Sequence, residues 1–167
     1  MSAKWRPDDS LSERDSNGLV RGVQRINDAL QKHKVSVGKG ITTSRDRGMA
    51  NARRDLKRKG MLPDVEQWLE PFVVADGDFL FFTSRLKPGT KVPRHSHPDF
   101  DVLRVVIKGS LKVGRLTLRP GDIMLVQRGQ QYATQAGPQG CTIFYGHIAP
   151  SPPGPGPGPG PGSVVSR

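Results

Sequence analysis

The chain has 167 residues, enough for one ordinary domain with arms or tails to spare and too few for two full ones. Its single cysteine, Cys141, excludes an internal disulfide, no secretory pattern opens the chain, and no apolar run approaches the ~18 residues of a membrane helix, so a cytoplasmic protein without a membrane partner is expected. The formal charge of +11, from 26 Lys plus Arg against 15 Asp plus Glu, favours acidic partners, while 20 Gly and 15 Pro confine the core-forming residues to the middle of the chain.

Residues 1–18 are polar, carry charges of both signs and lack an apolar period, which predicts a disordered arm. From Leu19 to about His33 the residues Leu19, Val20, Val23, Ile26, Ala29 and Leu30 recur at three- and four-residue spacing, the pattern of one helical face. Gly38 and Gly40 break that helix. Thr42, Thr43 or Ser44 is then placed to cap a second helix running to about Lys59 and stopped by Gly60. Pro63 to Glu70 reads as a short helical turn that lays Trp68 and Leu69 against the next domain, so residues 19–70 are expected to form a basic helical extension. Within it Arg53, Arg54, Lys57, Arg58 and Lys59 are candidate contacts for nucleic acid or an acidic partner, with Arg54, Lys57 and Arg58 on one helical face. Nucleic acid is not the favoured partner. Aromatic side chains are missing between Arg6 and Pro63, and the glycine-rich linker is too long for a helix-turn-helix, so a solvated helix is the plainer reading.

At Phe72 the texture changes to short β-type runs: Phe72 to Val74, Asp78 to Leu86, Lys91 to His95, Val102 to Ile107, Ser110 to Leu118, Asp122 to Val126, Gln131 to Thr134 and Cys141 to Ile148. Turns are expected at Asp76-Gly77, Pro88-Gly89, Lys108-Gly109, Pro120-Gly121, Arg128-Gly129 and Gly137-Pro138. Residues 71–149 therefore predict an all-β sandwich or barrel. Beyond them the alternating Gly-Pro run of 150–167 has nothing apolar to bury and predicts a disordered tail.

The chemistry concentrates between Gly89 and Gly109. His95 and His97 are two residues apart, a spacing that on a strand turns both imidazoles to one face, where two neutral rings suit a metal such as iron, nickel or zinc. His147 lies on the last predicted strand, on the alternating face of Cys141, Ile143 and Tyr145, and joins them as a further candidate. Cys141 itself reads as a buried apolar filler. Arg94 alternates with His95 and points away from it.

Gly89, five residues, His95, Ser96 and His97, then Asp101 and Gly109, resemble the first motif of the small single-barrel cupins; Asp101 stands where that family usually has Glu. Gly121-Asp122, running through Gln127 and Gly129 to Tyr132, is similar to the second motif, with Gln127 in place of a proline and Tyr132 in place of the third metal histidine. The resemblance implies a mainly β, cupin-type jelly-roll β-barrel with a helical N-terminal extension, and a pocket at its mouth. It implies metal ligands at His95, His97 and Asp101 and a divalent metal, iron first and otherwise nickel, manganese or zinc; His147 joins the ligand candidates from its place on the last strand, and Tyr132, Tyr145 and Gln127 are the candidate pocket residues. Homodimers are common among such barrels, and exposed sheet edges favour them. The expected function is binding of a small molecule, with a metal-dependent, dioxygenase-like reaction as its enzymatic form. The alternative is a ligand-sensing or structural barrel whose basic extension meets nucleic acid or an acidic partner.

Overall fold

The computed structural model describes residues 9–16, 18, 20–36, 40–59, 61–74 and 78–148. The Asp76-Gly77 turn and the Gly-Pro tail lie outside these residues. Among the described residues, no helix is long and apolar enough to cross a membrane.

Seven antiparallel strands carry the body of the fold: β1 (Val65–Leu69), β2 (Phe79–Leu86), β3 (Lys91–His95), β4 (Asp101–Val113), β5 (Leu116–Leu118), β6 (Ile123–Val126) and β7 (Tyr132–Ile148). β7 is the spine. Its later half pairs with β2, which pairs with β1; its earlier half pairs with β3; and β4 runs along its other side, flanked by β6 and β5. The result is the mainly β, cupin-type jelly-roll architecture that the sequence predicts, preceded by helices.

Two expected turns are corrected by this arrangement. Lys108-Gly109 and Gly137-Pro138 fall inside β4 and β7, so runs that read as separate short strands join into long ones. The strands bend where register shifts, between Val106 and Lys108 and between Gly109 and Leu111, insert bulges without ending the ladder. Gly109 has φ 75°, and a Cβ on it would lie 2.1 Å from the Gly140 carbonyl oxygen, so the close approach of β4 to β7 requires glycine there. The actual turn lies five residues on. Gly114, at φ 57°, folds Val113 back onto Leu116 and cuts the predicted Ser110 to Leu118 run in two.

Before the barrel, a 3-10 turn η1 (Ser10–Ser12) precedes α1 (Arg21–Lys32) and α2 (Met49–Asp55). The helix α1 buries Val23, Ile26, Ala29 and Leu30, the face that its spacing marks out. The second helix is shorter than expected. Gly48 takes the left-handed conformation at φ 85°, which no helical residue adopts, and Thr43 is folded into a turn whose N–H and hydroxyl donate to the Asp46 carboxylate. The helix therefore begins after Gly48 and ends before Lys57, so Arg54, Lys57 and Arg58 do not share a helical face. The expected helical turn over Pro63 to Glu70 is a strand. Glu66 is exposed while Gln67, Trp68 and Leu69 are buried, and β1 pairs in register from Val65 with Leu86 to Leu69 with Phe82. Phe72 to Val74 is not a strand; Val74 makes an isolated bridge to Phe79.

The described part of the arm is ordered by long-range contacts. Leu11 is buried, Arg14 bridges to Val20 in β fashion, and its guanidinium pairs with Asp78 at 2.8 Å. One core cluster joins Leu11 and both helices to Leu80, Phe82, Phe100, Val102, Val126, Tyr132 and Tyr145; a second holds Leu86, Val106, Leu111, Ala136, Cys141 and Ile143. Burial pushes the Cys141 thiol up to about 11, as befits a core filler. On the outside of the sheet Leu103, Ile107, Ile123, Leu125 and Phe144 remain exposed.

Candidate functional site

His95 is the last residue of β3 and pairs with Tyr132 on β7. Its Nδ1–H donates to the Pro93 carbonyl at 2.7 Å, which fixes both the ring and its tautomer. His97 lies past the strand's end, so alternation alone does not place it. The turn of the second motif does: the Gly129 N–H donates to the His97 carbonyl at 2.7 Å, with Gly129 held at φ 74°. The two rings then meet edge to face, 5.3 Å between centroids. β7 brings His147 between Leu80 and Val102, its ring 5.4 Å from that of His97 and stacked on Phe100 at 4.0 Å. All three imidazoles are buried, none more than 8% exposed.

Polar partners link these rings into one network. The His97 Nδ1–H donates to the Asp9 carboxylate, at 3.1 and 3.3 Å to its two oxygens, while the Tyr132 hydroxyl donates to His97 Nε2 at 3.3 Å and accepts from the Arg104 guanidinium. Ser12 Oγ shares a hydrogen bond of 3.1 Å with His147 Nδ1. On the facing wall Gln67 donates to Ser84 and to Tyr145, and its side-chain carbonyl accepts from Arg58 at 2.6 Å. The Arg104 guanidinium lies over the Tyr145 and Tyr132 rings, 4.8 and 5.3 Å from their centroids. Its Nε is buried and has no hydrogen-bond partner among the described residues.

Burial holds His95 down at about 4, opposed by its bond to Pro93 and aided by the Arg104 charge. His147 is likewise held well below the ordinary histidine range, first by burial and then by His97, Arg104 and Arg58. Both rings are therefore neutral at neutral pH. Burial also raises Tyr132 and Tyr145, so both phenols keep their protons.

These side chains wall a cavity of about 60 Å³. Asp9, Arg58, Arg104, His95, His97 and His147 supply its charged and imidazole walls; Leu62, Val65, Leu86, Val92 and Ile143 supply apolar ones. At 10–15 Å³ per water it has room for roughly four waters, or a solute of about four heavy atoms.

Of the residues expected at the site, His95, His97, His147 and Tyr145 line the cavity, and Tyr132 stands behind it, bonded to His97 and Arg104. Asp101 does not line it; its carboxylate accepts the Arg128 N–H at 2.8 Å. Gln127 is exposed. Arg94 is turned outward to Gln131, as its alternation with His95 requires. The basic stretch divides. Arg53 makes a two-pronged ion pair with Glu70, Lys57 pairs with Glu66, and both lie over the Trp68 ring; Arg58 is buried in the cavity wall, leaving Arg54 and Lys59 exposed.

Asp9 and Gln67 line the cavity and Ser12 stands beside it, bonded to His147; Asp9 and Ser12 have no local signal in the sequence. Asp9 and Ser12 reach their histidine partners across 88 and 135 residues. Gln67 was hidden by the helical reading of Pro63 to Glu70; the i, i+2 alternation of Val65, Gln67 and Leu69 was the available clue.

A divalent metal is the group that a cupin-like motif implies. The donors do not fit one in this arrangement: His97 has both ring nitrogens engaged by Asp9 and Tyr132, Asp101 is turned to the backbone of Arg128, and among the described residues no three His, Cys, Asp or Glu side chains gather as a metal site needs.

Fold and cavity together define a cupin-type barrel with a histidine- and arginine-lined interior. No protein-family model matches the chain, and no curated protein does. Solved structures that resemble it include KdgF from a Halomonas species, 17% identical over 56% of this chain and 86% of that one, with a TM-score of 0.47. A cupin-2 domain protein from Shewanella frigidimarina is 20% identical over 48% of this chain and 76% of its own, with a TM-score of 0.41. The complex of SigE with the anti-sigma ChrR from Rhodobacter sphaeroides matches at 14% identity over 78% of this chain and 77% of that one, with a TM-score of 0.48. These likenesses assign no activity and no residue roles.

Proposed function

We propose that the chain is a small-molecule-binding protein whose ligand enters the barrel interior and is held by Arg104, with the neutral imidazoles and Gln67 orienting it. The observation that carries this reading is the cavity of about 60 Å³, whose wall brings the Arg104 and Arg58 guanidiniums together with Gln67 and the neutral rings of His95 and His147. Apolar walls opposite supply the complementary surface for a short carbon skeleton. Binding needs nothing from Asp101, whereas the oxygenase reading asks Asp101 to turn inward and Tyr132 to release His97 Nε2.

The test is a binding survey with the full chain, using three- to five-heavy-atom acids, amides and alcohols and following the Arg104 side-chain N–H by NMR. Saturable binding of at least one class is expected, with a shift of that signal and at least a tenfold loss of affinity in Arg104→Met. A survey without a saturable binder overturns the reading. In parallel, protein incubated with iron(II), nickel(II), manganese(II) or zinc(II) and then desalted is expected to retain far less than one equivalent. Stoichiometric retention that disappears in His97→Ala would replace the binding reading with the metal-dependent one.

A further inference from the structure

The cavity is unevenly charged. Arg58 and Arg104 bring two guanidiniums to walls that also carry three imidazoles, and the sole carboxylate among the lining residues is Asp9. That carboxylate belongs to no strand of the barrel. It arrives from a segment 88 residues away in sequence and takes the Nδ1–H of His97 from the cavity rim, where its side chain is still 22% exposed while His97 is 6% exposed. The segment behind it is anchored independently by buried Leu11, by the Ser12 bond to His147 and by the Arg14 pairing with Val20. The Asp9 side chain can therefore leave without unfolding the segment.

Building on the ligand-binding reading, we propose that the ligand is a small carboxylate and that Asp9 is its internal stand-in: the incoming carboxylate displaces Asp9 from His97 and takes Arg104 and Arg58 as counter-charges. The chemistry is a like-for-like exchange. A carboxylate accepts the His97 Nδ1–H as Asp9 does, and its charge is met by the Arg104 and Arg58 guanidiniums of the same cavity wall. A neutral amide of the same shape has one acceptor oxygen and no charge, so the two guanidiniums discriminate against it. Size restricts the choice further. Room for about four heavy atoms suits acetate and its nearest relatives.

The experiment titrates the full chain, labelled with nitrogen-15 and carbon-13, with sodium acetate and separately with acetamide at pH 7 and constant ionic strength. Acetate is expected to bind at least tenfold more tightly than acetamide, shifting the His97 ring nitrogen and the Arg104 side-chain N–H and moving the Asp9 carboxyl carbon as Asp9 leaves His97. Asp9→Asn, an isosteric change at the rim, is expected to tighten acetate at least fivefold, and Arg104→Lys to weaken it at least fivefold with the amide spectrum still that of the folded protein. Equal affinities for acetate and acetamide leave the ligand-binding reading standing and overturn the carboxylate inference. A saturated complex in which the Asp9 carboxyl carbon has not moved overturns the displacement. If neither solute binds the wild type or Asp9→Asn, and the wider survey also finds no binder, the underlying reading falls as well.

Discussion

Replacing Gly109 by alanine is expected to destabilise the fold by on the order of 3–5 kcal/mol, in the range reserved for substitutions that force backbone to move. Two costs combine. The residue sits at φ 75°, where an L side chain is strained, and the new Cβ would lie 2.1 Å from the Gly140 carbonyl oxygen and 2.9 Å from its carbon. Those are backbone atoms of the neighbouring strand, so no rotamer change relieves the contact. Gly114→Ala is the control: its φ of 57° carries the same conformational strain, but nothing lies within 4 Å of the added carbon. It is expected to cost only about 1–2 kcal/mol. Urea unfolding at pH 7.5 measures both. Equal losses would show that the close approach of β4 to β7 at Gly109 is not needed.

Acid is expected to unfold the protein through His95 before the bulk of its carboxylates are protonated. An unfolded histidine takes its proton near 6.5, whereas buried His95 takes it at about 4. Between those values the unfolded chain binds a proton that the folded chain refuses, so this contribution is fully present above pH 6.5, declines as pH falls through the window, and is gone below 4. A displacement of that size corresponds to about 3 kcal/mol. His147, depressed for the same primary reason, adds a loss of the same sign. Urea midpoints at pH 7.5 and 4.5 should differ markedly in the wild type and by clearly less in His95→Gln, which does not titrate. The same difference in both proteins would mean that His95 is not buried in its neutral form.

How much of this was legible from the sequence depends on range. His95 could be read because a strand's two-residue period, a Pro-Gly turn before it and the Gly89 to His97 spacing all act within ten residues. His147 could be read as inward because Cys141, Ile143 and Tyr145 share its alternation. Gly109 misled for a physical reason: the same left-handed glycine serves a turn or a bulge, and only the partner strand decides which. The stretch Val65 to Leu69 was misread because Trp, Leu and Glu tolerate a helix, while pairing with β2 settles it as strand. Asp9 had no local pattern at all. It is polar, precedes a three-residue 3-10 turn, and acquires meaning only from a histidine 88 residues on. Arg58 was visible as a charge and not as a cavity residue, since what buries it is the strand that the helical reading missed.

The β-barrel turns His95 and His147 inward to a shared interior cavity beside Arg104. Ring-nitrogen NMR of the two imidazoles across pH 7.5 to 4 tests this placement most directly. His95 is expected to stay neutral until the pH nears about 4, and His147 to remain neutral well below the ordinary histidine midpoint. Two rings that both titrate near 6.5, as imidazoles in open water do, would contradict it.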